Sequence, residues 1–257
     1  VTLLHSIILA SGFIVMYIKQ KSSLFSWSIN FGLAKNLLKD SWPLMLSGIA
    51  ISIYMKIDQV MIKNMLDTKA VGNYAVAVRI SEVWYFIPVI ITSSVFPAII
   101  NAKKISEKLY YERLQKLYDL MVWLAIGIAL PIMLLSNNII KLLFGIQYQD
   151  AAGVLRIYVW AGIIVFFGCA WGKWIITENQ QKIIMYSHII SMPINIMLNI
   201  ILIKKYGIIG AAWATLISYS IDQLLGLLFY LKKLSLKMFL KTILPFHLFK
   251  FIKTFQN

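Results

Sequence analysis

Seven apolar segments, each between 16 and 30 residues long, follow one another through this 257-residue chain. A helix of about 20 residues crosses the ~30 Å hydrocarbon core of a bilayer, and backbone in lipid must satisfy its own hydrogen bonds. Only 14% of the residues are charged, against about 25% in soluble domains. The sequence therefore predicts an all-α, polytopic transmembrane helix bundle of about seven spans: Leu3–Ile18, Pro43–Met65, Val71–Ile100, Leu117–Ser136, Ala151–Ile176, Ile183–Ile203 and Gly207–Leu231.

The basic residues predict the orientation of these spans. The formal net charge is +15, which in a soluble protein would suggest a nucleic-acid partner, but membrane proteins retain Lys and Arg on the cytoplasmic side. Sixteen of the 25 basic residues lie on one side, in the connections that include loop 101–116 and the C-terminal tail. This side is predicted to be cytoplasmic, and no nucleic-acid partner is expected.

Three regions are predicted along the chain. Residues 1–40 hold the first span and an amphipathic segment with Trp27 and Phe31 that suits the membrane interface. Residues 41–231 hold six spans, and residues 232–257 form a basic tail. Because the chain begins with Val1 inside an apolar segment, we expect a further N-terminal portion.

Charged residues occur inside the second and third spans, where each costs ~3 kcal/mol or more unless it is paired or faces a cavity. Counted from the intervening turn, Asp58 and Arg79 lie at one depth, and Lys56 and Glu82 at another. We predict that Asp58 pairs with Arg79. The alternative is that all four charges form structural ion pairs that lock the hairpin.

Helix geometry separates Lys56 from Asp58. Residues two apart point about 200° away from each other, and Lys56 shares its face with Ser52, Gln59 and Lys63. We therefore predict that Lys56 and Gln59 line a cavity, while Asp58 lies on a mostly apolar face.

Polar stripes at helical spacing mark the sixth and seventh spans. The sixth contains Asn195 and Asn199, and the seventh contains Asp222. Small and hydroxyl residues serve close helix packing in lipid, which favours a packing role for Ala211 to Ser218. Two asparagines on one face are harder to explain by packing, so a packing role and a cavity-lining role both stay open for them. The full stripes are His188, Ser191, Asn195 and Asn199, and Ala211, Thr215, Ser218, Asp222 and Gly226.

Signatures of enzymes and of cofactor sites are missing from the sequence. It has no GxSxG, HExxH or P-loop motif, and its connections are too short to hold a catalytic domain. The single Cys169 makes no disulfide framework, and the three histidines lack the spacing of metal ligands. We expect a protein that is not an enzyme and that needs no cofactor or metal.

Several runs resemble a known family. IDQVMIKNMLDTKAVGNYAVAVRI, LLFGIQYQDA and NIILIKKYGIIGAAWATLIS are similar to the C-terminal half of polysaccharide exporters in the multidrug/oligosaccharidyl-lipid/polysaccharide exporter superfamily, and most similar to the O-antigen flippases (Wzx). In the last run, the likeness rests on Gly207, Gly210, Ala211, Ala212 and Thr215. The resemblance implies the last helix of a first lobe and all six helices of a second.

The resemblance also implies a function. Such proteins move an undecaprenyl-pyrophosphate-linked oligosaccharide from the inner to the outer leaflet of the bacterial inner membrane by alternating access. Implied partners are the lipid-linked oligosaccharide, membrane lipid, a glycan polymerase and a chain-length regulator. Competing hypotheses are a cation-coupled multidrug exporter, a membrane-bound glycan polymerase or ligase, and a non-transporting scaffold.

The site predictions combine the charges with this resemblance. A buried cation would attract the pyrophosphate of such a cargo, and polar groups would meet its sugar hydroxyls. The predicted substrate-binding residues are Lys56, Gln59, Arg79, Asn195 and Asn199. The residues predicted to couple an ion or to form structural ion pairs are Asp58, Glu82 and Asp222.

Overall fold

A computed structural model describes residues 2–19, 30–229, 238 and 241–242 of the chain. Every regular element in these residues is helical, which confirms the predicted all-α class. Two short 3₁₀ turns, Val83–Tyr85 and Ile146–Tyr148, connect α-helices. The α-helices are α1 Thr2–Lys19, α2 Phe31–Met65, α3 Thr68–Glu82, α4 Phe86–Ile105, α5 Glu107–Leu134, α6 Ser136–Phe144, α7 Ala151–Tyr158, α8 Ala161–Thr177 and α9 Gln181–Phe229.

Five helical segments in the described part are long and apolar enough to cross a membrane. The fifth, α9, contains the sixth predicted span and the seventh as far as Phe229, and α1 covers the first. The protein is thus a multi-pass membrane protein. The five segments are Phe31–Met65, Thr68–Ile105, Glu107–Leu134, Ala151–Thr177 and Gln181–Phe229.

The chain divides into two compact units between Trp42 and Pro43, within α2. The first unit contains α1 and the start of α2, and the helix begun at Phe31 continues through Pro43 without ending. Trp27, which we place at the membrane interface, lies outside the described residues, as does most of the predicted tail. Within that tail, Met238 and Thr242 are buried.

Thr242 attaches this part of the tail to α5. Its hydroxyl donates to Asp119 Oδ1 at 2.8 Å, and Gln115 Nε2 donates to Thr242 Oγ1 at 2.8 Å. Gln115 also donates to the Met238 carbonyl at 3.2 Å. These bonds satisfy buried polar groups that would otherwise be costly, so this segment of the tail packs on the bundle.

Local sequence explains where the helices begin and where α9 breaks. Asp67 caps α3 by accepting from the Ala70 amide at 2.7 Å, and Ser106 caps α5 by accepting from Leu109 at 3.1 Å. Side-chain oxygens at this position satisfy amides that have no partner inside the helix. Gly207 has φ 60° and ψ −140°, a conformation that is strained for residues with a Cβ. It divides α9 into two halves.

The second unit has two large apolar clusters. One joins α4, α5 and α8, and includes Tyr118, Phe167 and Trp174. The other joins α3, α7 and α9, and includes Tyr74 and Tyr158. In a third, smaller cluster, Tyr54 of α2 packs against Tyr219 of α9.

Candidate functional site

A buried carboxylate, that of Asp58 on α2, is the centre of the polar interior. It is 2% exposed and accepts three hydrogen bonds from three other helical segments. Tyr74 of α3 donates to Oδ2 at 2.9 Å, and Asn199, in the first half of α9, donates to Oδ1 at 2.6 Å. Thr215, in the second half of α9, donates to Oδ2 at 2.5 Å. All three donors are uncharged, and the ion pairs found among the described residues do not include Asp58.

Helical periodicity and the break at Gly207 explain why these groups meet. The break turns the chain back, so that residues of the two halves of α9 pair in opposite order. Asn195 donates to Ser218 at 2.9 Å, and His188 Nε2 lies 3.3 Å from Asp222 Oδ2. The two predicted polar stripes therefore face each other.

A second link ties α2 to this interior. Ser47 Oγ and His188 Nδ1 are hydrogen-bonded at 2.6 Å, and the rings of Tyr54 and His188 make a T-shaped contact with 6.3 Å between centroids. The polar groups thus form a line, from Ser47 and His188 at one end to Asp58 and Asn199 at the other. Asn195 and Asn199 are fully buried in this line and take part in its internal hydrogen bonds, and their predicted contact with substrate stays a prediction.

The predicted pair of Asp58 with Arg79 is wrong. Arg79 is exposed, and the ion pairs recorded for the described residues do not include it. Arg79 follows Tyr74 by five residues, which on a helix is a rotation of about 140°. Because Tyr74 points towards Asp58, Arg79 points to the other side of α3. Matching the residues by depth alone ignored this rotation.

The residues predicted to bind substrate do not come together. Lys56 is exposed and Gln59 half-buried, and neither contributes to the hydrogen bonds of Asp58 or the two asparagines. The roughly 200° separation of Lys56 from Asp58 places it outside the polar interior. A single site formed by all five predicted residues is therefore not present in the unit.

Glu82 has an uncharged partner. Tyr158 donates to Glu82 Oε1 at 3.0 Å, and the ion pairs found among the described residues include neither Glu82 nor Lys56. The four charges of the hairpin therefore do not form the alternative set of structural ion pairs.

Tyr74 and Thr215 are the partners of Asp58 that sequence reasoning missed. Thr215 belongs to the polar stripe of the seventh span, but the small and hydroxyl residues of this stripe were assigned to helix packing. Tyr74 lies five residues nearer the turn than Arg79, so it was not considered when residues of the two spans were matched with Asp58 by depth. Its long side chain reaches the carboxylate nevertheless.

A lone carboxylate among neutral donors is chemically suited to exchange a proton or a monovalent cation. A charge taken out of water costs several kcal/mol unless it is compensated, and the described groups around Asp58 supply hydrogen bonds but no positive charge. The described residues contain no cluster of three or more His, Cys, Asp or Glu that would hold a transition metal. Carboxylate, amide and hydroxyl oxygens remain as potential ligands for a small hard cation.

These features define the class of the protein. It is a helical membrane bundle with a line of hydrogen-bonded polar side chains through its interior. Residues 2–103 match the family model described as "Polysaccharide biosynthesis protein". Of the solved structures, an "Outward-facing conformation of a multidrug resistance MATE family transporter of the MOP superfamily" aligns with a TM-score of 0.58 at 20% identity. The alignment covers 75% of this chain and 44% of that one, and at this identity it shows a shared fold.

Two curated proteins of Haloferax volcanii are also similar to the chain. One, named "Probable low-salt glycan biosynthesis flippase Agl15", is 26% identical over 200 residues. The alignment covers 76% of this chain and 42% of that protein. The other, "Probable flippase AglR", is 25% identical over 212 residues, and the alignment covers 79% of this chain and 41% of that protein. The chain spans about two fifths of the length of these relatives. Their names denote flippases, in agreement with the prediction that the chain is not an enzyme.

The family model, the two relatives and the shared fold agree with the resemblance to polysaccharide exporters that the sequence motifs indicate.

Proposed function

We propose that this protein acts in the translocation of a lipid-linked oligosaccharide between the leaflets of a membrane. The observation that carries the proposal is the similarity, over 76% of the chain, to a protein named as a glycan biosynthesis flippase. The resemblance to O-antigen flippases supports a finer form. The cargo is then an undecaprenyl-pyrophosphate-linked repeat unit of a bacterial inner membrane, with a polymerase and a chain-length regulator as partners and a cytoplasmic C-terminus.

Asp58 is the proposed coupling residue. Its carboxylate contacts α3 and both halves of α9, so its occupancy by a proton or cation changes the bonds between four helical segments at once. Loss of the bound ion leaves a buried negative charge, which favours a different packing of these segments. An ion gradient can thereby bias two conformations, as a coupling mechanism requires.

Lys56 and Arg79 are the proposed contacts for the anionic part of the cargo. Both are exposed on the surface of the unit, although both belong to segments of membrane-spanning length. A charge that faces lipid at this depth is unfavourable, so such residues normally face a polar cavity. A pyrophosphate in that cavity would be attracted by both cations.

The test is a translocation assay in lipid vesicles that contain the purified protein and a fluorescent lipid-linked oligosaccharide. The fraction of cargo accessible to a glycosidase outside the vesicles is followed with and without a proton or sodium gradient. We expect faster translocation than in protein-free vesicles and a further increase with one of the gradients. Equal rates with and without protein would refute the proposed function.

Asp58→Asn tests the coupling role. The amide can still accept from Asn199 and donate to the hydroxyls of Tyr74 and Thr215, so the fold should persist, while the response to the gradient is lost. Asp150→Asn is the matched control, because Asp150 is exposed and makes no capping hydrogen bond. An unchanged gradient response in Asp58→Asn would exclude Asp58 as the coupling residue.

A further inference from the structure

A cavity of about 240 Å³ opens between α2, α8 and both halves of α9, at the end of the polar line that contains His188 and Asp222. This α8 pocket far exceeds the space for one water and lies just below the usual ~300–1,000 Å³ of ligand pockets. Its size fits one ring of a ligand. Its walls include Tyr85, Trp171, Gly172, Tyr219, Asp222 and Gln223.

Five of the residues that line the α8 pocket carry a buried polar atom without a hydrogen-bond partner in the described part of the chain. These atoms are Trp171 Nε1, Gln223 Nε2, Asp222 Oδ1 and the hydroxyls of Tyr85 and Tyr219. Each unsatisfied buried group costs about 1–3 kcal/mol, and native proteins contain few of them. All five belong to residues that line one cavity, so a polar ligand bound there can satisfy them when these side chains rotate towards it.

Three of these side chains are more than nine-tenths buried. Trp171 and Tyr219 are each 4% exposed and Gln223 is 7% exposed, so their polar atoms cannot turn to bulk solvent. Asp222 is held by His188 through its other oxygen, at 3.3 Å, which leaves Oδ1 as an acceptor.

Glycines form and shape the cavity. A Cβ at Gly172 would meet no heavy atom within 4 Å, which shows the open space beside α8. A Cβ at Gly226 would lie 2.6 Å from the Trp171 ring. The indole can therefore occupy its position in the wall because residue 226 has no side chain.

The unpaired atoms select the chemistry of the ligand. Trp171 and Gln223 offer N–H donors, the two tyrosines can donate or accept, and Asp222 accepts. An organic cation would leave the donors unused and facing positive charge, and an anion would be repelled by Asp222. A hydroxyl group both donates and accepts, so it matches every one of these atoms. Aromatic rings with polar edges suit the apolar face of such a ligand.

We propose that the α8 pocket binds a single uncharged, hydroxylated ring with the chemistry of a sugar unit. The ring can come from the glycan of the cargo, in which case the inference rests on the proposed function, or from the headgroup of a glycolipid. In either case, Trp171 supplies the stacking face, and Gln223 and Asp222 hold the hydroxyls.

The test measures binding separately from transport. The protein, in vesicles without glycolipid or sugar detergent, is titrated with methyl glycosides of common hexoses and N-acetylhexosamines, and binding is followed by saturation-transfer NMR. We expect saturable binding of at least one glycoside and no competition by tetramethylammonium or phosphate. Saturable binding of tetramethylammonium, or of no glycoside, would overturn the proposal.

Gly172→Leu fills the pocket and should weaken glycoside binding by at least about tenfold, or 1.4 kcal/mol. Gly127→Leu is its matched control, because a Cβ at Gly127 also meets nothing within 4 Å but lies on an exposed face of α5. Gln223→Leu removes a donor, conserves most of the volume and should also weaken binding. Unchanged binding in Gly172→Leu and Gln223→Leu would refute the site. If Gly172→Leu unfolds, glycoside binding by Gln223→Leu decides whether the site exists.

Two further arms separate the sources of the ring. If Gly172→Leu slows translocation of the lipid-linked oligosaccharide in glycolipid-free vesicles, the ring belongs to the cargo. If translocation is unchanged but a spin-labelled glycolipid no longer associates with the variant, the ring belongs to a lipid headgroup. Glycoside binding by a protein that translocates nothing would leave the pocket valid and the proposed function refuted.

Discussion

Gly210→Ala should destabilise the protein through a contact between the two halves of α9. A Cβ at Gly210 would lie 2.0 Å from the Leu202 carbonyl oxygen and 2.4 Å from its carbon. Real Cβ atoms do not come closer than about 3.0 Å to such atoms. The two halves must therefore move apart by about 1 Å at this point, because the obstacle is backbone and cannot rotate away.

The size of the effect follows from what this movement breaks. Forcing an extra methyl group into a packed interior costs about 1–3 kcal/mol. If the halves separate as rigid rods, the Asn195–Ser218 bond of 2.9 Å is lost, at about 1 kcal/mol. Replacing glycine with alanine stabilises a helix by about 0.5–1 kcal/mol, which offsets part of this loss. The expected net loss in the free energy of unfolding is about 1–3 kcal/mol.

The assay is unfolding of the purified protein by SDS titration from mild micelles, followed by circular dichroism. Gly127→Ala serves as the control, because its Cβ would meet nothing within 4 Å and it should be neutral or stabilising. Equal unfolding free energies for Gly210→Ala and Gly127→Ala would show that the close approach at Leu202 is not present.

The remaining predictions concern the hydrogen bonds and the orientation. In the same titration, Tyr74→Phe should cost about 1.5–3 kcal/mol, since it removes a bond to a buried carboxylate. Lys103→Met breaks a pair of 2.7 Å with Glu178 in which the lysine side chain is 39% exposed, and it should cost less than about 1 kcal/mol. Equal losses in the two variants would contradict this ranking. Topology reporters fused after Lys69 and after Lys108 should give opposite signals, and matching signals would disprove the predicted orientation.

Asp58 shows how far sequence reasoning reached in the site. Its depth in the membrane and the cost of its charge were predictable from its place in an apolar run. The partner was not, because several groups lie within reach at similar depths. Arg79 was the electrostatic choice, yet the helix rotation that brings Tyr74 to the carboxylate turns Arg79 outward.

The α8 pocket was not predictable for a different reason. Trp171 and Gly172 lie in a run whose composition suits the membrane interface, and Gln223 is one polar residue in an apolar helix. A cavity is a property of the space between helices. It arises because Gly172 has no side chain to occupy the gap between α8 and the neighbouring helices. The sequence of one helix alone does not predict such a gap.

The sequence by itself determined the helical membrane class, the approximate extent of the spans, the polar stripes of α9 and the place of its break at Gly207. Hydropathy and periodicity are local properties, and a bilayer imposes helix on any long apolar run. The tertiary structure decided which polar faces meet, so that Asp58 contacts Asn199 and Thr215 while Lys56 stays outside. The rotation and tilt of each helix depend on packing with all its neighbours, and residue spacing along a single chain does not contain that information.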